Sequence, residues 1–431
     1  MWLTMRNALG PLLLMLLCPP FVMLMWYTNT ELGGSLGALW NLMIQQGVLQ
    51  TTYVIWKPYF WGSSTAWIVI SCFIVFEHAL MRLLPGKTVY GPITPKGNSP
   101  VYKANGVLAF LTTMLVFCVA TFGLGLFKAT ILYDNLGYIL GALNIFSLIF
   151  CGLLYLKGRY FPSSTDASTT NNVLFDYYWG TELYPQILGW QLKKFITCRF
   201  GMMSWGLFLI SYCAKQEALG GLANSMFISV ALQLLYIAKF YVWEHGYLRS
   251  LDIMHDRAGF YICWGCLVWV PCIYTSPSMY LVLHPVHLSF VWVVLIAIVG
   301  VAGITINYLA DKQRLLTRAT EGRCKIWGKT PVTLLAHYTT EEGHAKQSLL
   351  LASGWWGIAR HFHYVPELIA AFCWSVPALF TNFSPYFYVL FLTILLVDRA
   401  FRDDRRCAKK YGKDWKKYCE LVPYKIIPLF V

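Results

Sequence analysis

Charge is what this chain has least of. Only 13% of its 431 residues are Asp, Glu, Lys or Arg, and acids are the scarcer, 20 against 34 basic side chains. A soluble domain carries about 25%. With 57% hydrophobic residues and a mean hydropathy of +0.53, a soluble protein is excluded and a polytopic membrane protein indicated. The phosphate loops of soluble nucleotide-binding folds are also missing. There is no G-x-G-x-x-G between a strand and a helix and no G-x-x-x-x-G-K-[ST]. Any nucleotide must therefore be held by side chains at helix ends. No secreted disulfide framework is visible. The 13 cysteines are scattered, many in apolar segments (Cys72, Cys118, Cys151, Cys263, Cys266), as small buried hydrophobes. Cys263-Trp-Gly-Cys266 has redox spacing but lies in an apolar segment without βαβ context. His284-Pro-Val-His287 and His361-Phe-His363 lack carboxylate or thiol companions, so no metal is expected. No internal repeat is seen, and no low-complexity tract beyond the polar loop Ser163–Thr170.

What is present is a series of roughly ten apolar stretches approaching the length of a bilayer span. Their centres lie near Leu16, Ile74, Leu115, Ile145, Leu207, Leu234, Leu267, Leu295, Phe372 and Leu392. The fold class expected is an all-α integral membrane protein, one polytopic domain over 1–431. Helices of 1–200 lead, and those of 201–431 carry the sites. The first apolar run contains Pro19 and Pro20 and no clear small-residue cleavage site, so it reads as a retained span. Lys and Arg concentrate in alternate connections: Arg82–Lys103, Lys157–Arg199, Arg249–Arg257, Asp311–Lys346 and Arg399–Val431. The positive-inside rule then puts both termini in the cytoplasm. Basic residues beside spans are explained by topology and anionic lipid, so the net charge of +14 does not indicate nucleic acid.

Nearly half of the Lys and Arg fall in two segments, Asp311–Thr330 and Asp398–Tyr418. Arg314 and Arg318 are four apart, on one face if helical, as a phosphate clamp or as an ordinary basic span end. If Asp398–Tyr418 is helical, Arg399, Asp403, Arg406 and Lys410 share a face, with Cys407, Tyr411, Asp414 and Tyr418 on a neighbouring stripe that Gly412 weakens. Guanidinium suits phosphate through paired hydrogen bonds. Asp403 among arginines is expected to be ionised, orienting an arginine or accepting from a ribose hydroxyl or a carboxamide. A juxtamembrane polybasic helix is the other reading. Between the two segments lies GWWGIARHFHY (Gly354–Tyr364). Read as a helix it puts Trp356, Arg360, His363 and Tyr364 on one face, with Pro366 at the start of the next span. Ionisable groups in an apolar setting are functional candidates; an interfacial belt of Trp, Tyr and Arg also fits. Tyr241–Tyr261 holds Glu244, His245, Tyr247, Asp252, His255 and Asp256, as a proton source or a cytoplasmic loop network.

Long stretches resemble one family: LLPGKTVYGPITPKGNSPVYKANG, YYWGTELYP, CRFGMMSW, HDRAGFYICWGCLVWVPCIYTSP, GWWGIARHFHYVPE, DRAFRDDRRCAKKYGKDW and VPYKIIP. The chain is similar to the membrane sterol reductases and, among them, to the plant-type sterol Δ7-reductases (the 7-dehydrocholesterol reductase type). The resemblance implies about ten transmembrane helices and NADPH as reductant. It implies nucleotide binding by Arg314, Arg318, Leu351, Trp356, His363, Tyr364, Asp403, Cys407, Ala408, Lys409, Lys410, Tyr411 and Tyr418. Arg314 is often Lys in the family and His363 is Asn in several members. The resemblance also points to Asp403 and Tyr411 in reduction, with a further central tyrosine assigned here to Tyr247.

A sterol carbon–carbon double bond is not activated by a carbonyl, so it does not accept hydride until it is protonated. The reaction implied is protonation of the C7=C8 bond of a Δ5,7-sterol followed by hydride from NADPH. Tyrosine, with a reference pKa of about 10, stays protonated at neutral pH and suits the donor. The nucleotide would arrive from the cytoplasm and the sterol laterally from the bilayer. Membrane lipids are the other partner expected; no protein partner is indicated. The membrane would be endoplasmic reticulum in a eukaryote or the inner membrane in a bacterium. Competing readings are reduction at C14 or in the side chain, an S-adenosylmethionine-dependent membrane methyltransferase, and a non-enzymatic sterol-binding protein.

Overall fold

A computed structural model of the chain describes residues 8–94, 96–339, 343 and 345–428. Helices dominate, as the composition requires. Among the described residues, eight segments are long and apolar enough to cross a bilayer: Gly10–Thr30, Ser64–Leu83, Gly106–Gly123, Leu136–Tyr160, Asn224–Val242, Phe260–Leu283, Phe290–Ala319 and Ser384–Tyr411. Two of the ten expected centres fall outside this set. Leu207 lies in the helix Met202–Gly220, whose second half, CAKQEALG, is too polar to count as a span by composition. Phe372 lies in Tyr364–Ser375, only 12 residues long. That helix stops where Pro377 disfavours helical backbone at Val376, and a 3-10 turn follows over Val376–Ala378.

Contacts divide the chain into two compact units. The first comprises Met1–Leu288 with Val376–Phe387, the second Ser289–Ser375 with Tyr388–Val431.

In the first unit, most of Phe260–Leu283 is buried. Burial of charge accompanies burial of hydrocarbon. Arg199, within the π-helical stretch Phe195–Gly201, donates from Nη2 to Glu244 Oε1 at 2.8 Å and to Asn105 Oδ1 at 2.8 Å. Glu244 Oε2 accepts from the Gly106 N–H at 2.8 Å, and Lys194 Nζ lies 3.5 Å from Oε1. Glu244, read above as part of a proton source or of a cytoplasmic loop network, is the centre of a buried ion network, the form in which charge survives at low dielectric.

In the second unit, the helix Phe290–Ala319 runs 30 residues, about 45 Å. Gly303 lets the helix Tyr364–Ser375 approach closely, since a Cβ there would lie 2.9 Å from Pro366 O. Asn307 Nδ2 ties the same pair together by donating to His363 O at 2.9 Å. Beyond the long helix the chain forms an antiparallel ribbon, Thr333–Thr339 with Ala345–Leu351, in which Thr333 pairs with Leu351 and His337 with Gln347. The penultimate helix, Phe387–Tyr411, ends at Gly412, whose φ of 52° is left-handed. The terminal helix Lys413–Leu421 then packs on the ribbon. Ala336, Leu350, Cys407, Trp415, Tyr418 and Val422 form the core between ribbon and helices.

Candidate functional site

Two local expectations about the second unit need correction. Gly354–Tyr364 is not one helix. A single turn, Trp355–Ile358, gives way to extended backbone at Ala359, and the next helix starts at Tyr364. The cause lies in the tail of the chain. Arg360 N–H donates to Tyr424 O at 3.0 Å and His361 N–H to Lys425 O at 2.7 Å, so these amides are not available to a helix. Pro366 sits in the first turn of the following helix, where its missing N–H costs nothing. Gly354 sets the bend. Its φ is 63°, and a Cβ would meet Gln313 Oε1 at 2.4 Å, the oxygen that accepts the Trp355 N–H at 3.0 Å. The stripe Cys407, Tyr411, Asp414, Tyr418 is likewise interrupted, because Gly412 ends one helix and starts another. Asp414 then accepts from the His337 N–H of the ribbon at 3.0 Å.

The broken segment nevertheless gathers aromatic rings. Trp356 lies 4.9 Å from His363, and His363 lies 4.2 Å from Tyr364. Trp356 is buried and donates from Nε1 to Ala310 O at 2.7 Å. The Arg314 guanidinium sits 4.4 Å over its indole, within cation–π range, and Asp311 holds Arg314 at 3.1 Å. Arg318, one turn on, is exposed. It donates from Nε to Leu349 O at 3.3 Å, and the rest of its guanidinium has no hydrogen bond among the described residues.

The penultimate helix supplies the acids. Arg406 donates to Asp403 Oδ1 from Nη2 at 2.7 Å and from Nε at 3.1 Å. Asp403 Oδ2 lies 4.0 Å from His361 Nε2. Asp404 lies 3.3 Å from Arg360 and 3.4 Å from Lys425. Burial pushes the His361 imidazole down to about 4, against the opposing pull of Asp403.

The other expected residues divide by role. Leu351 is buried against Ile326 and Trp356, and its carbonyl accepts from the Tyr418 hydroxyl at 2.7 Å. Burial raises the Tyr418 phenol, which is committed to that bond. Cys407 is a core residue, while Ala408 and Lys409 face outward. Lys410 places its ammonium 3.9 Å over Tyr338, and Tyr411 meets Tyr338 edge-on at 5.7 Å. All of these belong to the second unit. Tyr247 belongs to the first, packed on Tyr102, Leu248 and Ile253 with Phe240 at 4.8 Å, and burial raises its phenol. His361 and Asp404 were missed as site residues, and Arg360, placed on the aromatic face, was not carried into the nucleotide-binding set. The signal was there, since an Arg-His pair in an aromatic segment beside a span needs partners, but their partners lie some forty to sixty residues away.

A cofactor that is anionic and carries flat rings suits this donor set. Arg314, Arg318, Lys409 and Lys410 are cations, and the open end of Arg318 can take two phosphate oxygens. Trp356, His363 and Tyr364 offer ring faces. The buried His361 Nε2 has no hydrogen-bond partner among the described residues.

The chain is similar to known proteins along nearly its whole length. Residues 19–431 match the ergosterol biosynthesis ERG4/ERG24 family. The chain is 52% identical to 7-dehydrocholesterol reductase of Arabidopsis thaliana over 418 residues, 96% of this chain and 95% of the relative. It is 36% identical to 7-dehydrocholesterol reductase of Xenopus laevis over 84% of this chain and 78% of the relative. It is also 36% identical to Delta(14)-sterol reductase of Methylotuvimicrobium alcaliphilum over 97% of this chain and 93% of the relative. The chain is therefore a member of the ERG4/ERG24 family.

Proposed function

We propose that the protein reduces the C7=C8 double bond of Δ5,7-sterols with NADPH. The observation that carries the reading is the Arg314–Trp356 stack set beside His363, Tyr364 and the Arg406-bound Asp403. Names of the relatives support it: two 7-dehydrocholesterol reductases at 52% and 36% identity. The Delta(14)-sterol reductase at 36% keeps reduction at C14 as the second reading.

NADPH, when bound, supplies hydride. Arg314 and Arg318 neutralise its phosphates, with Lys409 and Lys410 adding to the same field. Trp356, His363 and Tyr364 give ring faces to its flat groups. Asp403 is held by Arg406 and orients polar groups near the reacting end. Proton delivery to the alkene is assigned to Tyr411, with Asp403 completing a relay, and Tyr247 of the first unit is the alternative donor. Exclusion of water protects the cation formed by protonation. The sterol comes from the bilayer. Both termini lie on the cytoplasmic side, and the membrane is endoplasmic reticulum or bacterial inner membrane according to the source.

A reconstituted assay tests this. Purified protein is given NADPH with 7-dehydrocholesterol or with a Δ8,14-diene sterol, and products are read by mass. Cholesterol from the first substrate is expected. Turnover of the second alone would move the reaction to C14, and no NADPH oxidation with either would end the reductase reading.

A further inference from the structure

Two polar atoms of the second unit face one another without bonding. His361 Nε2 is buried and has no hydrogen-bond partner among the described residues. Asp403 Oδ2 lies 4.0 Å away, beyond hydrogen-bond range. The carboxylate is not short of anchoring. Both Arg406 bonds go to Oδ1 and not to Oδ2.

The imidazole is also held in place. The His361 backbone donates to Lys425 O at 2.7 Å, and the ring stacks on Tyr364 at 5.4 Å with an interplanar angle of 8°. Its neighbour Arg360 is clamped by the carbonyls of Val422 and Pro423 at 2.7 and 2.9 Å. An orphaned buried nitrogen on a ring this well fixed calls for a ligand atom.

In its Nε2–H tautomer His361 donates, and Asp403 Oδ2 only accepts. One donor and one acceptor side by side are the complement of a primary carboxamide. Bond lengths place amide oxygen and nitrogen about 2.2 Å apart. Two hydrogen bonds of about 2.9 Å then converge slightly from protein atoms about 4 Å apart and remain close to linear. The surrounding rings, Trp356, His363 and Tyr364, suit the flat heterocycle that would carry the amide.

We infer that His361 and Asp403 together read the nicotinamide carboxamide, His361 Nε2 donating to the amide oxygen and Asp403 Oδ2 accepting from its NH2. The assignment rests on the NADPH reading above and deepens it. His361 is a binding residue that sets which pyridine ring is accepted and which way round it lies.

The test separates the two ends of the dinucleotide. Full-length protein in detergent is titrated calorimetrically with NADPH and with 2′-phospho-ADP-ribose, which lacks the nicotinamide. In His361→Ala the Kd for NADPH should rise roughly tenfold, the loss of one or two hydrogen bonds in a dry site. The Kd for 2′-phospho-ADP-ribose should not change, and that constancy also reports an intact fold. His361→Gln, which keeps a side-chain N–H, should recover part of the affinity. Equal loss for both ligands, or no loss for either, overturns the inference. Wild-type protein also tests it without substitution. The reduced 3-acetylpyridine analogue of NADPH has a methyl ketone in place of the amide and should bind severalfold more weakly; equal affinity overturns the carboxamide assignment. If wild-type protein binds neither NADPH nor 2′-phospho-ADP-ribose, it is the cofactor reading that fails.

Discussion

The Arg314 guanidinium lies 4.4 Å over the Trp356 indole, and that indole is fixed beneath it by a 2.7 Å bond from Nε1 to Ala310 O. Arg314 and Ala310 are one helical turn apart on the same helix, so one element both holds the ring and caps it with charge. Trp356→Phe keeps a ring for the cation but loses the bond to Ala310. It should weaken NADPH binding severalfold with a modest fall in melting temperature. Trp356→Ala empties a buried site and should cost about 3–5 kcal/mol of stability, so it reports on folding more than on the cofactor. Melting curves and NADPH titrations on both variants decide; wild-type affinity in Trp356→Phe would show that the indole N–H bond to Ala310 O does not shape the cofactor site.

Arg318 gives a cleaner probe because it is exposed and makes a single 3.3 Å bond to Leu349 O. Arg318→Ala should leave the melting temperature close to wild type, as surface substitutions usually change stability by about 0.5 kcal/mol or less. The KM for NADPH should rise about tenfold, the loss of a charge-assisted pair. An unchanged KM would show that this guanidinium does not meet phosphate.

For Tyr411 the expectation is a split between kinetic constants. Its ring packs on the core beside Trp415 and Tyr338, contacts that phenylalanine keeps. Tyr411→Phe should therefore lower kcat at least tenfold while moving the KM for NADPH little. Wild-type kcat would leave the hydroxyl without a chemical role.

Periodicity and charge made the helices and the two basic segments legible, because both are local properties of the chain. Arg314 stacks on Trp356, and Arg318 follows one turn on along the same helix and bonds Leu349 O. The register of Gly354–Tyr364 was not legible. Ala359 is extended because Arg360 and His361 bond to Tyr424 and Lys425, and no window of sixteen or so residues contains both partners. The same holds for Glu244, whose pairing with Arg199 bridges two distant segments. Gly412 was seen to weaken a helix. Its left-handed φ, which turns the terminal helix onto the ribbon, depends on the core formed by Ala336, Trp415 and Tyr418.

His361 should make stability depend on pH. Burial lowers its imidazole to about 4, below a reference value of about 6.5. The folded state favours the neutral ring, so its contribution is complete above the reference value and is lost as pH falls through 6.5 toward 4. A difference of about 2.5 units corresponds to about 3 kcal/mol over that window. Melting temperature should fall between pH 6.5 and 4 in wild-type protein, and less steeply in His361→Gln. Parallel curves for the two proteins would assign the pH dependence elsewhere.

Arg360 is the side chain on which the tail depends. It is buried, donates from Nη1 to Val422 O and Pro423 O at 2.7 and 2.9 Å, and faces Asp404 at 3.3 Å. Arg360→Leu keeps hydrocarbon in the site but strands two carbonyls and a carboxylate. Removing one member of a buried pair costs about 3–5 kcal/mol, although Lys425 at 3.4 Å still neutralises part of Asp404. The loss should appear first as loosening of residues 422–428, because these no longer share a side chain with the turn before Tyr364. Limited proteolysis should cut there in Arg360→Leu at concentrations that leave wild type whole. Arg360→Lys has one ammonium in place of a planar fork and cannot serve both carbonyls and Asp404 equally; it should fall between. A protease-resistant tail with an unchanged melting temperature in Arg360→Leu would mean that the backbone bonds of residues 360 and 361 hold the tail without the guanidinium.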